Sequence, residues 1–315
     1  MGKPFDALVI GAGPAGTAAA LYVARSGWRT LVIDQGLADG ALGQMRQIID
    51  FPGVGDKPSG EALIKRMRWQ AKDAGADIRE GTVTGVALGE SGRLVMMHDH
   101  RGEQQFEAET VVLATGCSDM GEGLPGEVAL RGKGVCYSVL RDGYAYKQQS
   151  VAIFGKTVKA IEAAVHLARM ARDVTFIVPG NRLDAPDPLK EQLQNATNVQ
   201  VLYSASVKEI TGNGTVQGAV VMSGGQEKTV AISAIFLCHH EGRIRAEYLG
   251  TTIERGPNGV VLVDEQLATS APGVFACGDI LTGTPQIPLV VAAQGIMVAT
   301  NIHRRLLAAP ARPRG

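Results

Sequence analysis

Two segments of the chain alternate short apolar runs with a helical periodicity, in the order strand, helix, strand. In the first, the apolar run Phe5–Ile10 leads through "GAGPAG" into a helical stretch, Pro14–Arg25, and then into a second strand that ends at Asp34. A unit of the same order occupies residues 151–178, more than a hundred residues further on. This pattern predicts an α/β protein with two Rossmann-like, three-layer (ββα) nucleotide-binding domains, the second inserted into the first.

The segments around these units contain further regular elements. The sequence "SGEALIKRMRWQAKDAG" reads as an amphipathic helix that Ser59 caps and Gly75 ends. An antiparallel meander is predicted over residues 82–88, 94–98 and 104–108, followed by a separate buried strand in "TVVLATG". The last long helix is expected over residues 288–307.

Composition narrows the possible classes of function. The 315 residues carry 31 basic and 31 acidic side chains, so no field of one sign attracts nucleic acid or an anionic membrane. Aromatic residues make up only 5%, which disfavours a stacking platform for single strands. The chain shows no secretory signal and no membrane-spanning run, and its four cysteines include no C-x-x-C. We therefore expect a cytoplasmic protein without a disulfide framework or a metal site.

The first turn carries a dinucleotide fingerprint, G-x-G-x-x-G, at Gly11, Gly13 and Gly16. The first glycine permits a tight turn, the second lets a pyrophosphate approach the backbone, and the third lets helix and strand pack closely. Asp34 ends the next strand, at the spacing expected of an acid that binds a ribose hydroxyl. Strand, helix, strand and acid together predict a dinucleotide site.

Two later turns indicate which dinucleotide binds there. Ala114-Thr115-Gly116 closes one strand and Cys277-Gly278-Asp279 closes another. In a flavoprotein with two dinucleotide folds, both turns meet the flavin, and Asp279 accepts a bond from a ribityl hydroxyl. The helix that begins at Pro288 would direct its positive end at the isoalloxazine and stabilise the reduced anion. These features favour FAD over NAD at the first site.

At this point the sequence resembles the low-molecular-weight thioredoxin reductases and their relatives over nearly its whole length. The matching segments are "GAGPAG", "GALGQMRQIIDFPG", "VVLATG", "GLPGE", "GKGV", "DGYAY" and "TSAPGVFACGD". The resemblance implies an FAD domain over residues 1–117 and 243–315, and an inserted NAD(P)H-binding-like domain over 118–242. It also implies a homodimer that passes electrons from NADPH through FAD to a C-x-x-C disulfide.

The chain departs from that family at the positions that carry the redox chemistry. Ser138 and Arg141 stand where the family has the two cysteines of its dithiol, and of that motif only Asp142, which matches the acid that protonates the thiolate, remains. Asp142 and Cys136 are therefore the catalytic candidates. For Cys136 the alternative is a small buried side chain, since free cysteines are mostly that.

The second nucleotide fingerprint is altered as well. Thr157 replaces a glycine of G-x-G-x-x-A, and its β-branched side chain would crowd a pyrophosphate. Residues 178–180 read Val-Pro-Gly where the resemblance expects a histidine and the two arginines that hold a 2′-phosphate. In the flavin loop, Ala41 and Asp50 replace a glutamine and an asparagine. We therefore predict that the inserted domain binds NADPH and NADH poorly or not at all.

The motifs and the resemblance together give a set of cofactor-binding residues. We expect FAD to be held by Gly11, Gly13, Pro14, Ala15, Gly16, Asp34, Gln35, Leu42, Asp50, Val83, Ala114, Thr115, Gly116, Gly278, Asp279, Gln286 and Ile287. The adjacent His239 and His240 point opposite ways on an extended chain, so a hinge or surface role suits them better than a metal site.

Three functions follow from these observations. The first is an FAD-dependent oxidoreductase without dithiol or NADPH, which takes electrons from ferredoxin, flavodoxin or a substrate. The second is a ferredoxin–NADP reductase-like enzyme, which also lacks the dithiol but normally keeps the fingerprint and arginines that are altered here. The third is a non-catalytic FAD-binding scaffold or redox sensor. We prefer the first, because the FAD motifs are intact beside an altered second site.

Overall fold

The computed structural model describes residues 3–36, 40–43, 45, 47–89, 92–118, 123–183, 185–238, 243–244, 246–281 and 287–309. These residues form two compact units. The first unit contains the described residues up to Ser118 together with those from Arg243 onward, and the second contains those between.

The described strands, in chain order, are β1 Phe5–Ile10, β2 Thr30–Asp34, β3 Asp77–Glu80, β4 Thr82–Leu88, β5 Arg93–Asp99, β6 Gly102–Leu113, β7 Cys117–Ser118, β8 Val135–Cys136, β9 Ser150–Phe154, β10 Asp173–Ile177, β11 Val199–Leu202, β12 Ser206–Thr211, β13 Gly218–Ser223, β14 Gln226–Ala231, β15 Ala234–Leu237, β16 Arg243–Ile244 and β17 Val274–Ala276. The α-helices are α1 Pro14–Arg25, α2 Gly60–Asp73, α3 Glu127–Leu130, α4 Val139–Asp142, α5 Val158–Ala168, α6 Asp187–Gln194 and α7 Pro288–Ala308. Short 3₁₀ helices cover Gly143–Tyr146, Glu247–Leu249 and Pro257–Gly259.

The first unit is built on a seven-stranded sheet in the order β3-β2-β1-β6-β5-β4, with β17 also paired to β6. The strands β3, β2, β1, β6 and β17 are parallel, whereas β6, β5 and β4 form an antiparallel meander. A parallel sheet with helices in its crossovers ends several strands at one edge, which is where such folds place their ligands.

The strand β6 differs from the prediction of two separate strands over this region. It runs unbroken for 12 residues and pairs with β5 along its first half and with β1 and β17 along its second. Burial alternates in the first half and is nearly continuous in the second. The alternation of polar and apolar residues stops there because the strand passes from a half-exposed meander into the buried centre of the sheet.

Local signals fixed the helix boundaries of the first unit. The helix α1 has the predicted bounds. The hydroxyl of Ser59 accepts a hydrogen bond of 3.1 Å from the backbone N–H of Ala62 and so caps α2, as the sequence indicated. Gly75 follows the end of that helix with a left-handed φ of +101°, the conformation that glycine adopts most readily.

The second unit repeats the strand–helix–strand arrangement. Its parallel sheet has the order β11-β10-β9-β15-β8, and α5 connects β9 to β10. A three-stranded antiparallel sheet, β12-β13-β14, completes the unit. The large side chains of Ile153, Phe176 and Phe236 are fully buried in this unit. The fold class predicted from the sequence, two Rossmann-like domains with the second inserted in the first, is confirmed.

The two terminal helices of the first unit pack against each other at very short range. A Cβ atom at Gly295 of α7 would lie 2.0 Å from the carbonyl oxygen of Ala15 in α1. Only glycine therefore permits this approach, and it brings α7 directly against the fingerprint helix. Within the described part of the chain, no helix is long and apolar enough to cross a membrane.

Candidate functional site

Three turns of the first unit meet at the carboxyl edge of its parallel strands. Each turn donates a backbone hydrogen bond to a carbonyl oxygen at the carboxyl end of the neighbouring strand. The bonds are Gly11 N–H to Ile33 O at 2.8 Å, Ala114 N–H to Ile10 O at 2.8 Å, and Cys277 N–H to Leu113 O at 3.0 Å. This series places the predicted fingerprint, the Ala-Thr-Gly turn and the Cys-Gly-Asp turn side by side.

The three fingerprint glycines have different surroundings. A Cβ at Gly11, whose φ is +99°, would lie 2.4 Å from the carbonyl oxygen of Ala114, and a Cβ at Gly16 would lie 1.9 Å from the carbonyl oxygen of Gly11. A Cβ at Gly13 would meet nothing within 4 Å. Two of the glycines therefore permit close packing within the protein, and Gly13 leaves open space at the amino end of α1.

The acid that ends β2 is held rigidly beside this turn. Its Oδ2 accepts a hydrogen bond of 2.7 Å from the backbone N–H of Ala12, and its Oδ1 accepts one of 3.0 Å from Gly36. The guanidinium of Arg68 also binds Asp34 Oδ1, and Arg68 Nε donates to the carbonyl of Ala12 at 3.1 Å. Both ionic side chains are largely buried, so the carboxylate has a fixed orientation and a cationic neighbour.

A cavity of about 650 Å³ opens beside this acid. It is lined by Asp34, Gln35, Gly36, Lys65, Arg68, Trp69, Lys72, Ile78, Arg79 and Glu80. The lining comes from the carboxyl ends of β2 and β3 and from one face of α2. The contribution of α2 was not predicted. The periodicity of its sequence shows that the helix is amphipathic, but not which strand ends lie beside its polar face.

Two further side chains support the turns at this edge. Gln294 of α7 accepts a hydrogen bond of 2.8 Å from the backbone N–H of Gly278 through its Oε1. The hydroxyls of Thr115 and Tyr248 lie 3.3 Å apart, and burial raises the pKa of Tyr248 far above its ordinary value. Neither Gln294 nor Tyr248 was predicted, since each is distant in sequence from the turn it contacts.

The remaining predicted FAD contacts lie in several places. Gln35 Nε2 donates to the Thr82 hydroxyl at 3.4 Å, and Val83 packs against the core of the first unit. Leu42 belongs to a separate small cluster with two residues of α2. Ile287 caps α7. Gln286 lies outside the described residues, as do His239 and His240.

The side chain of Asp50 is unusual. Its Oδ1 is buried, and no described residue donates a hydrogen bond to it. A buried carboxylate oxygen without a donor is costly, so this atom is suited to meet a donor on a bound molecule.

The second fingerprint turn contrasts with the first. Thr157 caps α5, and its hydroxyl accepts a hydrogen bond of 3.3 Å from the backbone N–H of Ala160. The same hydroxyl lies 3.4 Å from the carbonyl oxygen of Cys238. The equivalent position in the first unit, Gly13, caps its helix with no side-chain bond. A threonine side chain thus occupies the helix end that glycine leaves open in the first unit.

The catalytic candidates are inside the second unit. Cys136 is almost fully buried, and its pKa lies well above the ordinary value because of burial and the negative charge of Asp142. Asp142 forms a two-point ion pair with Arg141, at 2.9 Å for each bond. Burial also raises the pKa of Cys238 to about 11 and that of Cys277 to about 12. All four cysteines lie within the described residues, and all are free thiols.

Comparison with known proteins identifies the family. The profile of the pyridine nucleotide-disulphide oxidoreductase family matches residues 5–297. The chain belongs to this family. It is 36% identical over 306 residues to a thioredoxin reductase of Aquifex aeolicus, covering 96% of this chain and 94% of that protein. It is also 34% identical over 280 residues to an NADH dehydrogenase of Bacillus subtilis, covering 88% of this chain and 54% of that protein.

Solved structures agree with this assignment. The crystal structure of thioredoxin reductase from Streptococcus pyogenes MGAS5005 matches with a TM-score of 0.90 at 27% identity, covering 97% of this chain and 99% of that one. This member of the pyridine nucleotide-disulphide oxidoreductase family is an FAD-dependent oxidoreductase of the thioredoxin reductase type.

The residues of the first unit fit FAD. Gly13 leaves room for a pyrophosphate at the amino end of α1, where the helix dipole and free N–H groups favour negative charge. Asp34 would accept hydrogen bonds from ribose hydroxyls, and the buried Asp50 Oδ1 would meet a donor on the cofactor. When bound, FAD supplies one- and two-electron redox chemistry.

Proposed function

We propose that this oxidoreductase reduces its FAD without a nicotinamide nucleotide bound to the inserted domain and without a cysteine pair. The electrons come from a small redox protein such as ferredoxin or flavodoxin, or directly from a substrate. The protein acts as a cytoplasmic homodimer. Its FAD domain comprises residues 1–117 and 243–315, and residues 118–242 form an inserted domain that has lost the nucleotide contacts.

The observation that carries this proposal is the difference between Gly13 and Thr157. The two residues have nearly the same backbone conformation, with φ and ψ of −70° and −174° for Gly13 and −75° and 163° for Thr157. They therefore present their substituents in the same direction relative to the following helix. At Gly13 that direction is open, whereas at Thr157 a methyl group and a hydroxyl occupy it. A pyrophosphate that fits the first turn would clash with the second.

The electrostatics of the second turn support the same conclusion. The hydroxyl of Thr157 already accepts the hydrogen bond of the Ala160 N–H, one of the donors that would otherwise bind a phosphate. Beyond β10, Val178 is buried and Gly180 has no side chain, so neither position offers a cation for a 2′-phosphate. Both features disfavour the binding of NADPH to the inserted domain.

The cysteines support the absence of a dithiol relay. Exchange requires an accessible thiolate and a second thiol within bonding reach. Cys136 and Cys238 are buried with raised pKa values, so both remain protonated at neutral pH. We propose that Cys136 is a core residue. Asp142, fixed by Arg141, then serves to hold the α4 segment rather than to move a proton.

The test is an anaerobic reduction of the purified holoprotein. Samples are mixed separately with NADPH, NADH, reduced ferredoxin and dithionite, and the flavin absorbance band is followed in time. We expect dithionite to bleach the flavin fully and the two nicotinamide nucleotides to leave it oxidised for many minutes. Rapid bleaching by NADPH or NADH would contradict the proposal. Bleaching by reduced ferredoxin would show that a small redox protein, rather than a substrate, can supply the electrons.

A further inference from the structure

The cavity beside Asp34 has one wall made entirely by α2. The helix residues that line the cavity are Lys65, Arg68, Trp69 and Lys72. The last three follow Lys65 by three, four and seven residues, so all four lie on one face of the helix. The opposite wall comes from the ends of β2 and β3. An aromatic ring therefore stands in a basic wall opposite the acid that is oriented for ribose.

The exposure of Trp69 is not explained by the fold. The residue is 65% exposed, although tryptophan side chains are highly buried on average. The other tryptophan, Trp28, is half-buried, donates a hydrogen bond of 3.0 Å to His303 Nδ1 and packs edge-on against that ring. Trp69 thus has a large apolar face available to a ligand in the cavity, and Trp28 does not.

The position of the acid limits what can cover that face. In FAD the adenine base is attached to the ribose whose hydroxyls Asp34 would bind. A base on that ribose must lie within a few ångströms of Asp34, and the cavity that Asp34 lines also contains Trp69. Bases stack on aromatic side chains because every base has a π face.

We propose that Trp69 is the stacking wall for the adenine of FAD, and that α2 is therefore part of the cofactor site. The indole ring covers one face of the base, while Arg68 holds the ribose acid in place from the preceding position on the same helix. The inference rests on the FAD site and is independent of the electron donor proposed above. It assigns a ligand contact to a helix that none of the sequence motifs includes.

The first experiment uses tryptophan emission of the full-length apoprotein, because the chain contains only two tryptophans. ADP is the probe, since it carries the adenosine half of FAD without a flavin that would quench by energy transfer. We expect ADP to quench part of the emission in the wild-type protein and to leave the emission of Trp69→Phe unchanged. Inorganic pyrophosphate, which lacks adenosine and does not absorb tryptophan emission, is the negative probe and should leave the emission unchanged.

The second experiment measures the dissociation constant of FAD. Stacking on an aromatic ring contributes enough that Trp69→Ala should weaken FAD binding by about tenfold to a hundredfold. Trp69→Phe keeps a ring and should stay within about threefold of the wild type. Gln70→Ala is the control, because Gln70 is an exposed neighbour on the same helix and does not line the cavity.

The outcomes separate this inference from the proposed function. An unchanged FAD affinity in Trp69→Ala, or the same ADP quenching in Trp69→Phe as in the wild type, would overturn the stacking role. Since Trp69 is exposed, its replacement should leave the far-ultraviolet circular dichroism of the apoprotein unchanged. Bleaching of the flavin by NADPH would contradict the proposed function and leave the stacking result untouched.

Discussion

The contrast between the helix-capping residues Gly13 and Thr157 can be tested by placing a threonine at position 13. The change Gly13→Thr introduces into the first unit the residue that the second unit has at the equivalent position. The backbone of Gly13 is extended, so threonine adopts it without strain, and a Cβ there meets nothing within 4 Å. Because glycine and threonine are similar as N-caps, we expect the free energy of unfolding of the apoprotein to change by less than about 0.5 kcal/mol.

FAD affinity should respond very differently. The added methyl and hydroxyl fill the space of the pyrophosphate, and the hydroxyl competes for an N–H group of α1. Losing even one hydrogen bond to a charged group costs about 1.5–3 kcal/mol, which corresponds to a weakening of FAD binding by roughly tenfold to 150-fold. Gly13→Thr should therefore yield a folded protein that purifies with little flavin.

The change Gly16→Ala, at another glycine of the same fingerprint, should instead lower the stability of the apoprotein. Its Cβ would lie 1.9 Å from the carbonyl oxygen of Gly11 and 3.1 Å from the Cβ of Ala114, so helix and strand must separate. Overpacking of this kind costs about 1–3 kcal/mol even in the absence of ligand. Alanine gains back up to about 1 kcal/mol of helix propensity, so a net loss of stability is expected.

Urea denaturation of the apoproteins and titration with FAD, monitored by flavin fluorescence, measure the two quantities separately. We expect Gly13→Thr to lose FAD affinity and keep its stability, and Gly16→Ala to lose stability. If Gly13→Thr bound FAD as tightly as the wild type, the open space at Gly13 would not be the pyrophosphate site. The interpretation of Thr157 as an obstacle to NADPH would then fail with it.

Two further predictions concern stability. The buried thiols Cys238 and Cys277 have native pKa values of about 11 and about 12, above the ordinary 9.0, so above pH 9 the unfolded chain binds fewer protons than the native protein. Their contribution to the free energy of unfolding is complete below pH 9 and is lost as the pH rises through 11 and 12, by up to about 1.4 kcal/mol per pH unit for each thiol. Urea denaturation between pH 8 and 11 should show this slope. The variant Cys277→Ala should make the slope shallower. The variant Thr157→Val removes the hydroxyl that caps α5 and should lower the free energy of unfolding by about 0.5–2 kcal/mol. The variant Thr157→Ser keeps the hydroxyl and should stay within about 0.5 kcal/mol of the wild type. Equal stabilities of the two variants would argue against the cap.

The parts of the structure that the sequence predicted depend on local signals. A capping serine, a left-handed glycine and a fingerprint turn each act within a few residues, and so α1, α2 and the first turn could be derived from the sequence. The last long helix, expected over residues 288–307, ends one residue later, at Ala308. The long strand β6 was divided in two because its periodicity changes where its neighbours change.

The parts that the sequence did not predict depend on distant contacts. Arg68 reaches Asp34 across 34 positions of the chain, and Tyr248 reaches Thr115 across 133. Arginine on an amphipathic helix ordinarily indicates a solvated face, and tyrosine in an irregular segment carries no signal of its own. Trp69 is similar, because only the packing of α2 beside the ends of β2 and β3 shows which surface its ring faces.

The order of the strands in the first sheet has a consequence for biosynthesis. The strand β17 pairs with the centre of that sheet and α7 packs on α1, yet both are translated after the whole inserted unit. The inserted unit is contiguous, so its residues leave the ribosome together and can fold while the outer sheet still lacks a strand. The turn after β17 and the helix α7 therefore join the cofactor site only after the inserted unit has been translated.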